Sequence, residues 1–212
     1  MAFVIDKRSG YTIREGTNDK TIISECRAYF KTLTLDPDRD VVMDIGGHIG
    51  IFADMCYPTR VVSYEPLPAN AKLYLENSPN SALREGAMVY RPKTATIPLY
   101  VSETSDQSNH TLVQTRGRKT IDVPTFSFES SLEIVRPTVL KLDIEGGEYD
   151  LLEGYGTKLP VRIFLAEFHF RKKADAARAE ALWAGLDDHF DQVLVQPKVA
   201  AWNTFGVWAS AT

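Results

Sequence analysis

The stretch of residues 41–50, VVMDIGGHIG, constrains the fold of this chain more than any other. An apolar run ends at Asp44 and then breaks into glycines, which predicts a strand, a tight turn and a helix. Gly46 and Gly47 let the backbone turn sharply and approach a ligand closely, and Gly50 lets the following helix pack on the sheet. The pattern is typical of a nucleotide cradle, but a tight strand-to-helix connection in another α/β protein has the same pattern.

The same turn differs from the G-x-G-x-x-G fingerprint of proteins that bind nicotinamide dinucleotides. His48 occupies the position two after Gly46, where the fingerprint has its second glycine, and Asp44 lies two residues before Gly46. The second glycine of the fingerprint lets the backbone approach a pyrophosphate. Its replacement by histidine favours a ligand without a pyrophosphate and disfavours a dehydrogenase.

With 212 residues the chain suits one domain, and its composition, 44% hydrophobic and 25% charged, is that of an ordinary soluble enzyme. The net charge of −4 gives no basic excess that would indicate nucleic acid. Cys26 and Cys56 belong to no Cys/His cluster, so we expect neither a zinc site nor a disulfide framework, and a reducing, cytoplasmic setting fits best. Charge interrupts the N-terminus after five residues and no apolar run reaches about 18 residues, so we expect no signal peptide and no membrane span.

Residues 1–38 are predicted to form an appendage packed on a core domain of residues 39–212. Two short apolar runs, Phe3–Ile5 and Tyr11–Ile13, suggest a hairpin. Apolar residues at near-helical spacing then predict a helix over Thr21–Leu33, which would cover the ligand crevice or one edge of the sheet.

A second strand is predicted over Arg60–Glu65, and it also ends in an acid. Glu65 follows Asp44 by 21 residues, about where a doubly wound nucleotide fold places the carboxylate that binds the ribose hydroxyls. Pro66 and Pro68 then open a helix, since proline is tolerated in a first turn. The alternative for Glu65 is a solvent-exposed acid at a strand end.

The second segment that carries acids is residues 139–148, VLKLDIEGGE. Its apolar start predicts a buried parallel strand, and its polar end places Asp143 and Glu145 directly before a double glycine and a helix. Glu148 lies in the first turn of that helix, where its alternative role is to stabilise the helix dipole.

The rest of the chain continues the alternation of strands and helices. The other predicted elements are strands at Met88–Tyr90, Ile97–Val101, Thr120–Val123, Val161–His169, Val193–Gln196 and Thr204–Trp208, and helices at Phe126–Val135 and Arg171–Phe190. The last two strands should be antiparallel neighbours because their connection is short. Polar residues 102–109 predict a mobile loop, and its end at Ser108, Asn109 and His110 is either a lid or an ordinary surface loop.

This alternation predicts a mostly parallel sheet with helices on both faces and a ligand beyond the carboxyl ends of its strands. Asp44, Glu65, Asp143 and Glu167 end four separate strands at that rim. Their mutual repulsion is costly unless something cationic is bound, and a sulfonium cofactor would supply the charge. His169 shares a face with Glu167 because the two are two residues apart in a strand.

Three stretches, DIGGHIG, residues 63–77 and KLDIEGGEYDLLEG at 141–154, resemble the FkbM-type family of S-adenosylmethionine-dependent methyltransferases. The resemblance covers roughly Ile13 to Glu167. It implies a Rossmann-like seven-stranded methyltransferase fold, doubly wound and mostly parallel, whose last strand is antiparallel. The family usually shows alanine and asparagine where this chain has Gly47 and His48, so His48 is either a contact to cofactor or substrate or only a turn residue.

The resemblance also implies which residues bind S-adenosyl-L-methionine. Asp44, Gly46 and Gly50 would hold its methionine part and Glu65 its ribose, and Asp143, Glu145 and Glu148 would border the reacting methyl group. The predicted cofactor-binding set is completed by Gly47, His48, Pro66 and Asp143.

The acceptor that the resemblance implies is a hydroxyl group on a small molecule or a sugar, whose proton must be removed. Asp143 is the first candidate to hold or deprotonate it, and His169 the second, because its ordinary pKa lies near neutrality. Glu145 completes the predicted catalytic set. A divalent ion could acidify the acceptor instead, but no dedicated ligand spacing is present, so we predict no metal. A non-catalytic or regulatory protein that binds the cofactor is the rival hypothesis, against which Asp143, Glu145 and Glu148 argue.

Overall fold

The computed structural model describes residues 2–102, 110–113 and 118–210. Most of the predicted mobile loop, with Ser108 and Asn109 of the candidate lid, lies outside the described residues. In chain order the elements are β1 (Phe3–Ile5), β2 (Thr12–Arg14), α1 (Asp19–Tyr29), β3 (Val41–Ile45), α2 (Ile51–Met55), β4 (Arg60–Glu65), α3 (Pro68–Asn77), β5 (Ala82–Glu85), β6 (Ala87–Val89), β7 (Thr96–Val101), β8 (Lys119–Ser127), α4 (Phe128–Val135), β9 (Val139–Leu142), α5 (Glu148–Tyr155), β10 (Ile163–His169), α6 (Asp175–Asp187), β11 (Gln192–Val195) and β12 (Asn203–Ala209).

The central feature is a seven-stranded sheet with the order β5-β4-β3-β9-β10-β12-β11. Neighbouring strands from β5 to β10 are parallel, whereas β12 is antiparallel to both β10 and β11. The chain runs outward from β3 to β5 and then crosses to β9 on the other side of β3, so the strand order reverses between β3 and β9. This topology confirms the predicted Rossmann-like methyltransferase fold with its antiparallel last strand.

Alternation along the strands divides the core into two layers. In β3, Met43 packs in a cluster with helices α4, α5 and α6, while its neighbour Val42 packs in a second cluster with α1, α2 and α3. In β9, Leu140 and Leu142 join the first cluster and Val139 the second. Since successive side chains of a strand point to opposite faces, a sheet covered on both sides needs apolar residues at every position.

A smaller sheet with the order β6-β8-β7 packs beside the main one and was not predicted as a sheet. The predicted helix start at Phe126 is wrong, because β8 continues to Ser127 and Phe126 pairs in parallel with Met88 of β6. Helix α4 begins only at Phe128, where the Ser127 hydroxyl accepts a hydrogen bond from the Ser130 amide at 3.3 Å and caps the helix. Strand β8 is longer than its apolar run because its last residues pair with β6, a strand from another part of the chain.

The N-terminal segment forms the predicted hairpin and helix with shifted boundaries. Strands β1 and β2 pair antiparallel, and α1 ends at Tyr29, four residues before its predicted end. Leu33 is nevertheless buried, with only 5% of its surface exposed. The apolar spacing therefore indicated correctly that Leu33 is buried, although this residue lies beyond the end of the helix. Asn77 of α3 ties the hairpin to the core, since its Oδ1 accepts from the Thr12 amide at 2.8 Å.

Helix α6 is shorter than its predicted range of 171–190. The amides of Arg171 and Lys172 donate to the carboxylate of Asp175 at 2.9 and 2.7 Å, so the helix starts after them. None of the helices in the described ranges combines the length and apolarity needed to cross a lipid bilayer.

Candidate active site

A cleft opens at the carboxyl ends of β3, β4 and β9, under α1 on one side and the small sheet on the other. It lies where the strand order reverses, which is the usual ligand position in a doubly wound fold. Of the predicted site residues, those that line the cleft are Gly46, Gly47, His48, Glu65, Pro66, Asp143 and Glu145. Asp44, Gly50, Glu148 and His169 are not among the lining residues.

The glycine turn is shaped by contacts that exclude side chains. Gly46 has a φ of +93°, and a Cβ atom there would lie 1.8 Å from the Asp143 carbonyl oxygen. Gly50 has a φ of +84° and precedes α2, and its Cβ would meet the Tyr74 carbonyl oxygen at 3.0 Å. His48 also adopts a left-handed φ of +47°. The turn therefore brings the backbones after β3 and β9 into direct contact at the floor of the cleft.

Glu65 is 5% exposed at the end of β4, and its carboxylate is held by three donors. Oε1 accepts from the Leu67 amide at 2.8 Å and from Asn70 Nδ2 at 3.3 Å, and Oε2 accepts from the His48 amide at 2.9 Å. Burial raises the pKa of Glu65 to about 7, against the lowering effect of these donors. Glu65 is thus a fixed, buried acid and not the solvent-exposed strand end that was its alternative.

Asp44 lies behind the turn, fully buried, and is bound to other side chains. Its Oδ2 accepts from the Ser63 hydroxyl at 2.9 Å, and its Oδ1 lies 3.1 Å from the Nζ of Lys141. Lys141 also donates to the Gly46 carbonyl at 3.0 Å and lies 3.5 Å from Asp143 Oδ2. In this geometry Asp44 supports the turn from behind, and its predicted role in holding the methionine part stays a prediction.

Lys141 also corrects the sequence argument about charge. Burial alone would lower the pKa of this ammonium, but Asp44 and Asp143 outweigh that effect and raise its pKa above the ordinary value. A buried cation beside two of the four acids is therefore part of the protein, and the repulsion between Asp44 and Asp143 by itself does not require a cationic ligand. Sequence reasoning missed Lys141, although a single lysine inside the apolar run of residues 139–142 was the available signal.

Asp143 is the most accessible acid at the floor of the cleft, with 27% of its side chain exposed. It directly follows β9, and its amide donates to the Ile45 carbonyl at 3.0 Å, which fixes it beside the glycine turn. Glu145 follows in a left-handed conformation with a φ of +57°. The Thr111 hydroxyl and the Arg171 side chain hold it there by donating to its carbonyl at 2.6 and 2.8 Å.

His169 lies behind Glu145, 7% exposed, among carboxylates. Its Nδ1 donates to Glu148 Oε1 at 3.0 Å, and its Nε2 lies 3.5 Å from Glu145 and 3.8 Å from Glu167. Burial alone would lower the pKa of His169, but Glu148 and Glu145 outweigh it and raise this pKa to about 10. His169 is therefore a cation at neutral pH and cannot accept a proton in the resting protein.

Glu148 is fully buried and organises the turn between β9 and α5. Its two carboxylate oxygens accept from the amides of Ile144 and Gly146, both at 2.9 Å, as well as from His169. Glu148 does not line the cleft, and its predicted position beside the reacting methyl group stays a prediction. Its alternative role at the helix start is closer to what the geometry shows.

Asp143, Glu148 and His169 are also the group among the described residues that could hold a metal ion, since three potential ligand atoms lie within 4.8 Å of one another. The hydrogen bonds of Glu148 and the positive charge of His169 satisfy this group without an ion. The absence of a metal stays a prediction.

Helix α1, Glu167 and His110 complete the surroundings of the cleft. Helix α1 lines it with Cys26 and Tyr29, which confirms that this helix covers the crevice. The Tyr29 hydroxyl donates to Glu167 at 3.1 Å, and the Asn203 amide group also donates to Glu167. Burial, with the nearby charge of Asp143, raises the pKa of Glu167 to about 8. His110, the described residue of the candidate lid, lines the cleft as well.

A doubly wound sheet of this strand order, with a glycine turn and a buried acid on adjacent strand ends, defines a Rossmann-like methyltransferase fold. The chain matches the Methyltransferase FkbM domain over residues 44–195, well over half of its length. It belongs to the FkbM family of S-adenosylmethionine-dependent methyltransferases, as its motifs indicated.

Individual proteins are more distant. A Haloferax volcanii protein named hexuronic acid methyltransferase AglP is 28% identical over 136 residues, which cover 62% of this chain and 57% of that protein. The crystal structure of Methyltransferase FkbM from Methylobacillus flagellatus has a TM-score of 0.50 and 14% identity, covering 85% of this chain and 46% of the other. An RNA methyltransferase of Salinibacter ruber in complex with S-adenosyl-L-homocysteine, 12% identical over 90% of each chain, has a TM-score of 0.41. This chain thus spans about half the length of the FkbM protein and of AglP.

The residues of the cleft fit S-adenosylmethionine. Gly46 and Gly47 line the cleft with backbone alone, and Glu65 offers a buried carboxylate to the same cleft. Apolar side chains of the small sheet, Met88 and Leu99, line the cleft and suit a flat aromatic base.

Proposed function

We propose that this chain methylates a hydroxyl group of a sugar with S-adenosylmethionine as the methyl donor. One observation carries the proposal: the glycine turn, the buried carboxylate of Glu65 and the accessible carboxylate of Asp143 face the same cleft. The first two suit a nucleoside cofactor, and the third is an acid placed where an acceptor can reach it.

The residues divide into a binding and a reacting group. The turn of Gly46, Gly47 and His48 would hold the methionine part, and Glu65 with Pro66 would hold the ribose. When bound, S-adenosylmethionine supplies an electrophilic methyl group on a sulfonium. Because methyl transfer needs the acceptor oxygen in line with that group, positioning supplies most of the rate enhancement.

Asp143 is the group that would orient the acceptor hydroxyl and take its proton. It is partly exposed, and the neighbouring Lys141 balances its charge. His169 is less suited because Glu148 and Glu145 keep it protonated. Glu145 would act mainly by holding His169 and Arg171 beside the site.

The sugar class of the acceptor is supported by two observations. AglP, which shares part of its sequence with this chain, is named a hexuronic acid methyltransferase. At the rim beyond Tyr29, the carboxylate of Glu167 and the amide of Asn203 offer hydrogen bonds to hydroxyl groups. Trp202, next to Asn203, is 80% exposed and offers an apolar face to a sugar ring.

The remaining parts of the proposal concern location and partners. The buried, free thiols of Cys26 and Cys56 support a reducing, cytoplasmic setting. The net charge of −4 supports a small acceptor over nucleic acid. We retain the division into an N-terminal appendage, residues 1–38, and a methyltransferase domain, residues 39–212.

A transfer assay tests this function. The protein is incubated with S-adenosylmethionine labelled in its methyl group and with matched pairs of neutral hexosides and hexuronosides. We expect label in the sugar fraction, lost when the reactive hydroxyl of the acceptor is replaced by a methoxy group. Binding of S-adenosylhomocysteine without label transfer to any hydroxylated acceptor would instead support a non-catalytic binding protein.

A further inference from the structure

Arg14 of β2 is a buried arginine in the N-terminal segment, which precedes the family match at residues 44–195. It is 3% exposed and forms a bidentate ion pair with Asp19 of α1, which is completely buried. Arg14 Nε donates to Asp19 Oδ2 at 2.9 Å and Nη2 to Oδ1 at 2.8 Å. In this geometry the Nη1 group of the guanidinium points away from Asp19 and donates to another residue.

That partner is Asn70 of α3, on the wall of the cleft. Arg14 Nη1 donates to Asn70 Oδ1 at 2.8 Å, and Asn70 Nδ2 donates to Glu65 Oε1 at 3.3 Å. Arginine can only donate and an ionised carboxylate can only accept, so the orientation of the amide is chemically fixed. Arg14 therefore keeps the NH2 group of Asn70 turned toward Glu65.

A second connection reaches Glu65 through the glycine turn. Arg14 Nη2 lies 3.4 Å from His48 Nε2, and the His48 amide donates to Glu65 Oε2 at 2.9 Å. The two oxygens of the Glu65 carboxylate are thus each oriented by a residue that Arg14 contacts.

We infer that Arg14, fixed by Asp19, is a positioning residue of the cofactor site that sets the orientation of the Glu65 carboxylate through Asn70 and His48. The N-terminal segment is then a working part of the cofactor site and more than an attached appendage. The inference rests on the proposed role of Glu65 as the acid that binds the ribose hydroxyls.

The simpler alternative is that Arg14 only anchors the hairpin to the core. Other contacts already anchor the hairpin. The Asn77 side chain hydrogen-bonds to both the amide and the carbonyl of Thr12, and the Tyr11 hydroxyl donates to Asp54 at 2.8 Å. None of these side chains contacts Glu65 among the described residues. Tyr11→Phe therefore removes an anchoring contact of the same hairpin and serves as the matched control.

The test is calorimetric binding of S-adenosylhomocysteine to the full chain at pH 8, above the pKa of Glu65 of about 7. Arg14→Gln, Asn70→Ala and Tyr11→Phe are each measured alone and combined with Glu65→Gln, with thermal unfolding as the check on folding. Asn70→Ala leaves the Arg14 and Asp19 pair in place, so it carries the test if Arg14→Gln does not fold.

If Arg14 acts through Glu65, Arg14→Gln and Asn70→Ala each raise the dissociation constant about tenfold, the effect of one hydrogen bond to a charged group. In the Glu65→Gln background the same changes have less than about a twofold effect, because the charged carboxylate that Arg14 orients is gone. Tyr11→Phe leaves the affinity unchanged in both backgrounds.

Equal losses with and without Glu65→Gln, or unchanged affinity in Asn70→Ala, would overturn the inference while the proposed function stands. Failure of the wild-type protein to bind S-adenosylhomocysteine would overturn the proposed function itself, and the inference with it.

Discussion

The Nζ atom of Lys141 lies 3.1 Å from Oδ1 of Asp44, and both side chains are almost completely buried between the sheet and α2. This pair joins two adjacent strands, β3 and β9, near their carboxyl ends, next to the glycine turn. It also places a fixed positive charge 3.5 Å from Asp143. Asp44 and Asp143 therefore share a cation of the protein before any ligand binds.

The first prediction follows from this pair. Lys141→Met leaves Asp44 buried and without its cation, so we expect it to lower the free energy of unfolding by about 3–5 kcal/mol in urea denaturation. The double variant with Asp44→Asn removes the charge on both sides and should recover a large part of that loss. A single variant as stable as the wild type would show that Lys141 is not the counter-ion of Asp44.

The second prediction concerns the acceptor side. Asp143→Asn keeps the shape of the side chain and removes its charge, so we expect it to fold, to retain most of its affinity for the cofactor and to lose at least about a hundredfold in turnover. His169→Ala should lose less, because a protonated histidine is not the base. Wild-type turnover in Asp143→Asn, with a large loss in His169→Ala, would reverse these assignments.

The third prediction uses the pKa of His169. In the unfolded chain this group loses its proton near pH 6.5, whereas in the folded protein its pKa is about 10. Its stabilising contribution is therefore complete below pH 6.5 and is lost as the pH rises toward 10. Glu145 and Glu167, whose pKa values burial raises to about 7 and 8, change stability in the same direction.

We accordingly expect the free energy of unfolding to fall by at least about 1.4 kcal/mol between pH 6.5 and 10, the value of one pKa unit. His169→Asn should flatten this profile. His189→Asn changes a histidine just after α6 that bonds to the Leu159 carbonyl, away from the cleft, and should leave the profile as it is. A wild-type profile that is level across this range would contradict the charged state of His169.

The fourth prediction is that a chelator leaves turnover unchanged. Asp143, Glu148 and His169 lie close enough to hold an ion, but Glu148 already accepts three hydrogen bonds and His169 carries a proton. Turnover is compared before and after dialysis against EDTA. Loss of activity that Mg²⁺ or Mn²⁺ restores would show that this group is a metal site.

Those parts of the site whose structure depends on one continuous segment of the chain could be predicted from the sequence. Gly46 is required by a close backbone contact, and Glu65 ends a strand at the spacing that the fold needs, so both had local signals. The paired strands at the end of the chain were likewise evident from their short connection. Where one segment determines its own conformation, the sequence pattern was sufficient.

The parts that depend on distant partners could not be predicted in this way. A lysine inside an apolar strand can be recognised as a buried counter-ion only when its partner is known. For Lys141 that partner is Asp44, which belongs to another strand. The contact of Arg14 with Asn70 joins residues 56 positions apart. The apolar pattern of β8 did not indicate that pairing with β6 extends this strand to Ser127. In each case the structure is determined by an interaction between two elements, and the sequence pattern does not show that these elements are neighbours.

The most direct test of the account is calorimetric titration of the wild-type protein with S-adenosylhomocysteine and with NAD, followed by the same titrations of Glu65→Ala. We predict that S-adenosylhomocysteine binds, that NAD does not, and that Glu65→Ala weakens binding by about 1.5–3 kcal/mol, the range for hydrogen bonds to a charged group. Tight binding of NAD with no response to S-adenosylhomocysteine, or an unchanged dissociation constant in Glu65→Ala, would contradict the assignment of this cleft.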